Sequence, residues 1–121
     1  FAVNREKLDI STIKSAKAIL TTNWIMAMFP EGTRIKTGKI GKIQKGFVYL
    51  AKTTGADILP IGIVGSNTFC EKIVVRIGKP FSVCENPEDT IDLWGKTISE
   101  LTGIEYKPEK QLQKEEQEAV V

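Results

Sequence analysis

Along the chain the alternation of hydrophobic and polar positions changes period several times, and each change marks a predicted element. Phe1 to Val3 is a short apolar stub of strand character. Asp9 or Ser11 can cap a helix in which Ile10, Ile13, Ala16 and Leu20 recur at helical spacing, ending near Thr21 to Asn23. Trp24-Ile25-Met26-Ala27-Met28-Phe29 is a continuous apolar run stopped by Pro30, the pattern of a central strand covered on both faces. Ile43, Phe47, Leu50 and Ala51 then trace one face of a second helix, closed by Gly55 as a left-handed terminator. Ile58 to Val64 reads as a buried strand and Lys72 to Ile77 as another, ended by Gly78 and Pro80. Asn86-Pro87 opens a third helix, where Ile91, Trp94, Ile98 and Leu101 keep an apolar stripe before Gly103. From Tyr106 to Val121 the chain is rich in Lys, Glu and Gln and reads as a solvated tail with some helical content.

Strand, helix, strand, helix, strand in that order predicts an α/β fold, a largely parallel sheet with helices on its faces. The connection Ser66 to Glu71 is too short for a helical crossover. The strand at Lys72 is therefore expected to pair antiparallel, which makes the sheet mixed. Trp24, Met26, Met28, Phe81 and Trp94 are expected in the core. The pattern divides the chain into a domain over residues 1–103 and a polar, flexible tail over 104–121. A chain of 121 residues, 41% hydrophobic and 26% charged, supports one core. It opens on Phe1, directly in a strand stub, so it is expected to be part of a longer domain whose N-terminal portion is missing.

Net charge is only +2, but its distribution is uneven. Arg34 to Cys84 holds nine Lys/Arg against two acids, whereas Glu85 to Val121 holds four against ten. The middle of the chain thus attracts anions. Cys70 and Cys84 lack CxxC spacing and there is no histidine, so neither a disulfide framework nor a metal site is expected. Ser66 has no histidine to activate it as a nucleophile. The interleaving of aromatic and basic residues that single-stranded nucleic acid requires is missing, and no nucleic-acid partner is expected.

Candidate chemistry gathers at Phe29-Pro30-Glu31-Gly32-Thr33-Arg34, where an apolar run gives way to a glycine-rich basic loop. Gly32 allows a tight turn, and Arg34 offers a planar fork of donors suited to phosphate. Glu31 repels an anion unless it orients the arginine or a backbone amide of the turn. The plainer alternative is a surface pair between Glu31 and Arg34. Lys42, Lys45 and Lys52 share a predicted helix face with Tyr49, suited to lipid headgroups, a carrier-protein acidic patch or coenzyme phosphates, or simply to solvent. Pro60 within an apolar strand pattern marks either an edge strand or a functional irregularity.

These segments together resemble the phospholipid/glycerol acyltransferase family. The hexapeptide is similar to the family's third block, and Val3-Asn4-Arg5 to an earlier block ending in Val-x-Arg. Lys36-Thr37-Gly38-Lys39-Ile40-Gly41 leading to Lys45-Gly46-Phe47 follows the family pattern of glycines and lysines before a helix. Ile58-Leu59-Pro60-Ile61-Gly62-Ile63 looks like the fourth block, and Gly78-Lys79-Pro80 like a later Gly-x-Pro. The likeness runs in order over about residues 1 to 101.

The resemblance implies a glycerol-3-phosphate acyltransferase-like fold and transfer of a fatty acyl group from an acyl-CoA or acyl-ACP thioester to a glycerol phosphate hydroxyl. The favoured acceptor is lysophosphatidic acid. No metal or bound cofactor is implied, since the thioester is a co-substrate. It implies that Arg5 and Arg34 hold the acceptor phosphate, that Glu31, Gly32 and Thr33 shape that site, and that Pro60 belongs to the acyl-site wall or to the core behind it. Lys42 and Lys45 are candidates for headgroup or donor contacts. Ile35 stands where many members carry a small polar residue. Peripheral attachment at the cytoplasmic side of a membrane, and an acyl carrier protein as donor, are further implications. The family's first block, His-x4-Asp, has no counterpart, so no catalytic residue is expected in this chain and no turnover by it alone. The alternatives are a non-catalytic domain that binds anions or lipid headgroups, and a transferase for another glycerol-phosphate acceptor.

Overall fold

The computed structural model describes residues 10–31, 38–65, 69–70 and 72–120. Among them run helix α1 (Ile10–Leu20), helix α2 (Gly46–Thr54), strands β1 (Ile61–Val64) and β2 (Val74–Ile77), helix α3 (Pro87–Thr102) and helix α4 (Glu109–Ala119). Helices and a small sheet together make the molecule α/β in the broad sense.

α3 organises the rest, and its sequence dictates its bounds. Asn86 has an extended backbone, and its Oδ1 accepts from Glu88 N at 3.1 Å, while Pro87 stands where a missing N–H costs nothing. Glu88 and Asp89 place negative charge at the positive end of the helix. Gly103, at φ 72°, ends it with a bond from its N–H to Ser99 O. The stripe between these signals buries Ile91, Trp94 and Ile98 against Ile40, Ile43, Phe47 and Val48. The Phe47 and Trp94 rings meet with centroids 6.0 Å apart, tilted by 55°. Thr90, fully buried, accepts from Cys84 N through its hydroxyl at 2.9 Å, so no polar cost is left uncompensated there.

β1 and β2 pair antiparallel, Ile61 opposite Ile77 and Gly62 opposite Arg76, as the short connection predicts. One face of this hairpin lies on α3. A side chain on Gly62 would come within 2.8 Å of Thr102 Cγ2 and 2.9 Å of Leu101 Cβ, so glycine is what lets the last turn of α3 lie on β1. From β2, Arg76 donates to Leu101 O at 2.7 Å, satisfying a carbonyl at the C-terminus of α3.

Several expectations change. The apolar run Trp24 to Phe29 forms no strand, and Trp24, Ile25 and Phe29 are 76%, 91% and 79% exposed. The physical reason is that strand status depends on a pairing partner, and no described strand lies beside it. Trp24 and Met28 are accordingly exposed rather than core, whereas Trp94 is core and Phe81 packs at its margin. The sheet described is two-stranded and antiparallel, without the parallel pairing expected from the element order. Ile58 to Val64 is a strand only from Ile61, because Pro60 intervenes. Ile58 pairs with Phe81 and Ile61 with Ile77, leaving two residues opposite three. A bulge of this kind is where a buried proline is tolerated. Ile43 precedes α2 rather than belonging to it, and so does Lys42, which is not on its face. The tail is not uniformly solvated: Ile104 and Tyr106 pack on the core, and Glu109–Ala119 is helical with none of its residues buried. The strand stub Phe1 to Val3 lies outside the described residues.

Candidate functional site

The basic loop begins and ends at positions that are tied to each other. Pro30 O accepts from Gln44 N at 2.7 Å, and Glu31 Oε2 accepts from Gly41 N at 3.3 Å. Residues 30–31 and 41–44 are therefore held side by side. The descending limb is fixed from below as well, because Ile40 and Ile43 are buried in the core and Ile40 N donates to Glu105 O at 3.1 Å. The Glu31 carboxylate thus meets a backbone amide ten residues on, beyond its own turn.

Gly38 sits at φ 67°, a backbone conformation that glycine adopts without strain, with open space where a side chain would project. Past the loop, Lys45 stands at the N-cap of α2, and no side chain caps that terminus or places an acid in its first turn. Helix N-termini carry partial positive charge, and among the described residues no side chain caps this one. Lys42 and Lys45 are exposed beside it, Lys42 with its ammonium 3.5 Å from Glu109 and Lys39 3.5 Å from Glu105. Exposed pairs of this kind contribute little to stability.

Arg5, Gly32, Thr33 and Arg34 lie outside the described residues, as does Ser66. Of the expected site, the structure brings together Glu31, Lys42 and Lys45 around the base of the loop. Pro60 is fully buried, its carbonyl accepting from Gly78 N at 2.9 Å, in the bulge that joins β1 to the Ile58 bridge. It contributes to packing beneath the hairpin. Three contributors went unread in the sequence: Gln44 through its backbone, and Glu105 and Glu109 through their charges. The contrast between a basic middle and an acidic C-terminus was the available signal for the last two.

Elsewhere, Tyr106 donates to Asp92 Oδ1 at 2.7 Å, and burial together with that carboxylate raises its phenol well above the usual range. The hydrogen bond to Glu115 raises the ammonium of Lys107 in the same direction. Cys70 and Cys84 are free. Among the described residues no group of acids and cysteines gathers that could hold a metal ion, and no helix is long and apolar enough to cross a membrane.

A family model described as acyltransferase matches residues 1–64. The 1-acyl-sn-glycerol-3-phosphate acyltransferase of Cocos nucifera is 30% identical over 125 residues, 89% of this chain and 40% of that relative. The enzyme of the same name from Limnanthes douglasii is 33% identical over 87 residues, 70% of this chain and 31% of its own length. In Pseudomonas aeruginosa another of that name is 47% identical over 38 residues, 31% of this chain and 14% of its own. The chain thus spans 40% or less of these curated relatives. No solved structure matches it significantly.

Proposed function

The chain belongs to the acyltransferase family, and from that premise we propose that the protein carrying it transfers a fatty acyl group to the free hydroxyl of 1-acylglycerol-3-phosphate, giving phosphatidic acid for phospholipid synthesis. This chain supplies the side that grips the acceptor phosphate. The observation that carries the reading is the pair of hydrogen bonds flanking the 32–40 segment, where Glu31 and Pro30 hold Gly41 and Gln44. Those two ties hold together the ends of the segment that carries Arg34, and a guanidinium fork suits a phosphate.

In this reading Arg34 and Arg5 bind the phosphate, while Gly32 and Thr33 shape the turn. Glu31 acts as a positioning residue through Gly41 N, which explains an acid beside an anion site. Lys42 and Lys45, with the uncapped start of α2, add positive field for the headgroup or for the donor's phosphates. Pro60 supports the hairpin that backs the acyl side. The reaction joins the acceptor oxygen to the thioester carbonyl carbon and breaks the carbon–sulfur bond, and the hydroxyl proton passes by way of a base to the departing thiolate. A base of near-neutral pKa is required, and a chain without histidine does not supply one. The base is contributed from outside these residues, and the chain alone is inactive. The donor is acyl-CoA or acyl-ACP, no cofactor is needed, and the protein works at the cytoplasmic side of a membrane. The uncovered apolar run at 24–29 and the outer face of the hairpin are surfaces that a larger, mixed sheet and its helices cover.

The test compares acceptors that differ only in the phosphate. The protein carrying this chain is expected to acylate 1-acylglycerol-3-phosphate and to use the corresponding monoacylglycerol poorly. Equal rates with both would remove the phosphate site. Transfer to neither would favour a domain that only binds lipid headgroups.

A further inference from the structure

Two lysines of the basic loop, Lys39 and Lys42, are already paired with the chain's own C-terminal segment. Glu105 Oε2 lies 3.5 Å from Lys39 Nζ, and Glu109 Oε1 lies 3.5 Å from Lys42 Nζ. Glu105 also anchors the approach through its carbonyl, which accepts from Ile40 N at 3.1 Å. Farther along, Lys110 of α4 reaches Glu88 at 3.8 Å. α4 itself buries none of its residues. A cavity of about 230 Å³ separates it from the core, lined among others by Gly41, Lys42, Ile43, Ile91, Tyr106 and Leu112.

A helix that buries nothing is held by charge, and exposed ion pairs are weak and screened by salt. α4 is therefore fastened loosely, at the lysines flanking a loop that attracts anions. Release also removes an unfavourable field, because residues 105–121 carry five acids against three basic residues.

We propose that the segment from Glu105 through α4 is an acidic strap that competes with phosphate-bearing anions for Lys39 and Lys42. Strapped, the two lysines are neutralised and the mouth of the loop is less positive. When a phosphate group takes the lysines, Glu105 and Glu109 lose their partners and α4 swings away from the loop. The coupling is reciprocal, so whatever loosens the strap tightens anion binding by the same factor. The inference rests on the reading of the basic loop as a phosphate-binding element, and it adds an intramolecular competitor to it.

The experiment measures binding of the protein carrying this chain to phosphatidylcholine vesicles with and without phosphatidylglycerol, and separately to inorganic phosphate. Two double substitutions remove the same charge from different places. E105Q/E109Q removes both partners of the loop lysines, whereas E116Q/E118Q alters α4 outside those pairs. E105Q/E109Q is expected to tighten binding of the competing anion on the order of fivefold, with E116Q/E118Q changing it little. In a K39Q/K42Q background the gain is expected to vanish. The probe that responds, vesicle or free phosphate, identifies which anion competes. Equal tightening by both double substitutions, no tightening by E105Q/E109Q, or a gain that survives K39Q/K42Q overturns the strap. None of these readouts uses turnover or Arg34, so failure of the strap and failure of the acceptor-phosphate site are separately visible.

Discussion

Tyr106 lies flat on α3 because position 95 is glycine. A side chain there would run into the Tyr106 ring, so the small residue on the helix and the aromatic residue eleven positions later are chosen together. The hydroxyl reaches Asp92, and burial and that carboxylate both favour the neutral phenol. A phenol that titrates higher when folded than when unfolded stabilises the fold fully below about pH 10. That contribution is lost as pH rises above about 10 toward the folded value, since the unfolded chain releases its proton first. Urea unfolding across this alkaline range should show stability falling more steeply for the unaltered protein than for Tyr106→Phe. Parallel slopes would remove the linkage. Nothing in the polar tail pattern signals this contact: the ring and its glycine face are separated by the end of α3, and only the fold brings them together. Glu31 is the contrasting case. Its place in a basic loop called for a partner, and the Gly41 amide donates to its carboxylate.

Elements were readable where their signals are local. Asn86, Pro87 and Gly103 bound α3 by hydrogen bonds and backbone conformation that involve only the helix's own ends, and its stripe at helical spacing needs no knowledge of the partner. Gly55, at φ 70°, ends α2 for the same reason. Removing the cap side chain with Asn86→Ala should cost about 1 kcal/mol, read as a lower midpoint in urea unfolding. An unchanged midpoint would mean that the apolar stripe alone fixes the start of α3. The 24–29 run could not be read in this way. An apolar sequence shows that burial on both faces is tolerable, but pairing is made by other strands, and none is described beside it. Pro60 was ambiguous for a related reason: its missing N–H excluded a regular central ladder, but the bulge that accommodates it is made by Gly78-Lys79-Pro80 on the partner side.

At the scale of the molecule, the basic middle and acidic end visible in the sequence become neighbours in space, through Lys39 with Glu105 and Lys42 with Glu109. Charge counts exposed the asymmetry, while the contact between its two halves depends on how Ile40 and Ile104 pack. The core also ties the two ends of the basic loop, through Glu31 with Gly41 and Pro30 with Gln44, and on that loop the proposed grip on the acceptor rests. The central claim is that this loop grips the phosphate of the acceptor through Arg34. It is tested most directly by Arg34→Ala in the protein carrying this chain, with KM determined separately for acceptor and acyl thioester. Loss of a hydrogen-bonded charge should raise KM for 1-acylglycerol-3-phosphate by about tenfold or more and leave KM for the thioester nearly unchanged. An acceptor KM that stays the same would contradict the account.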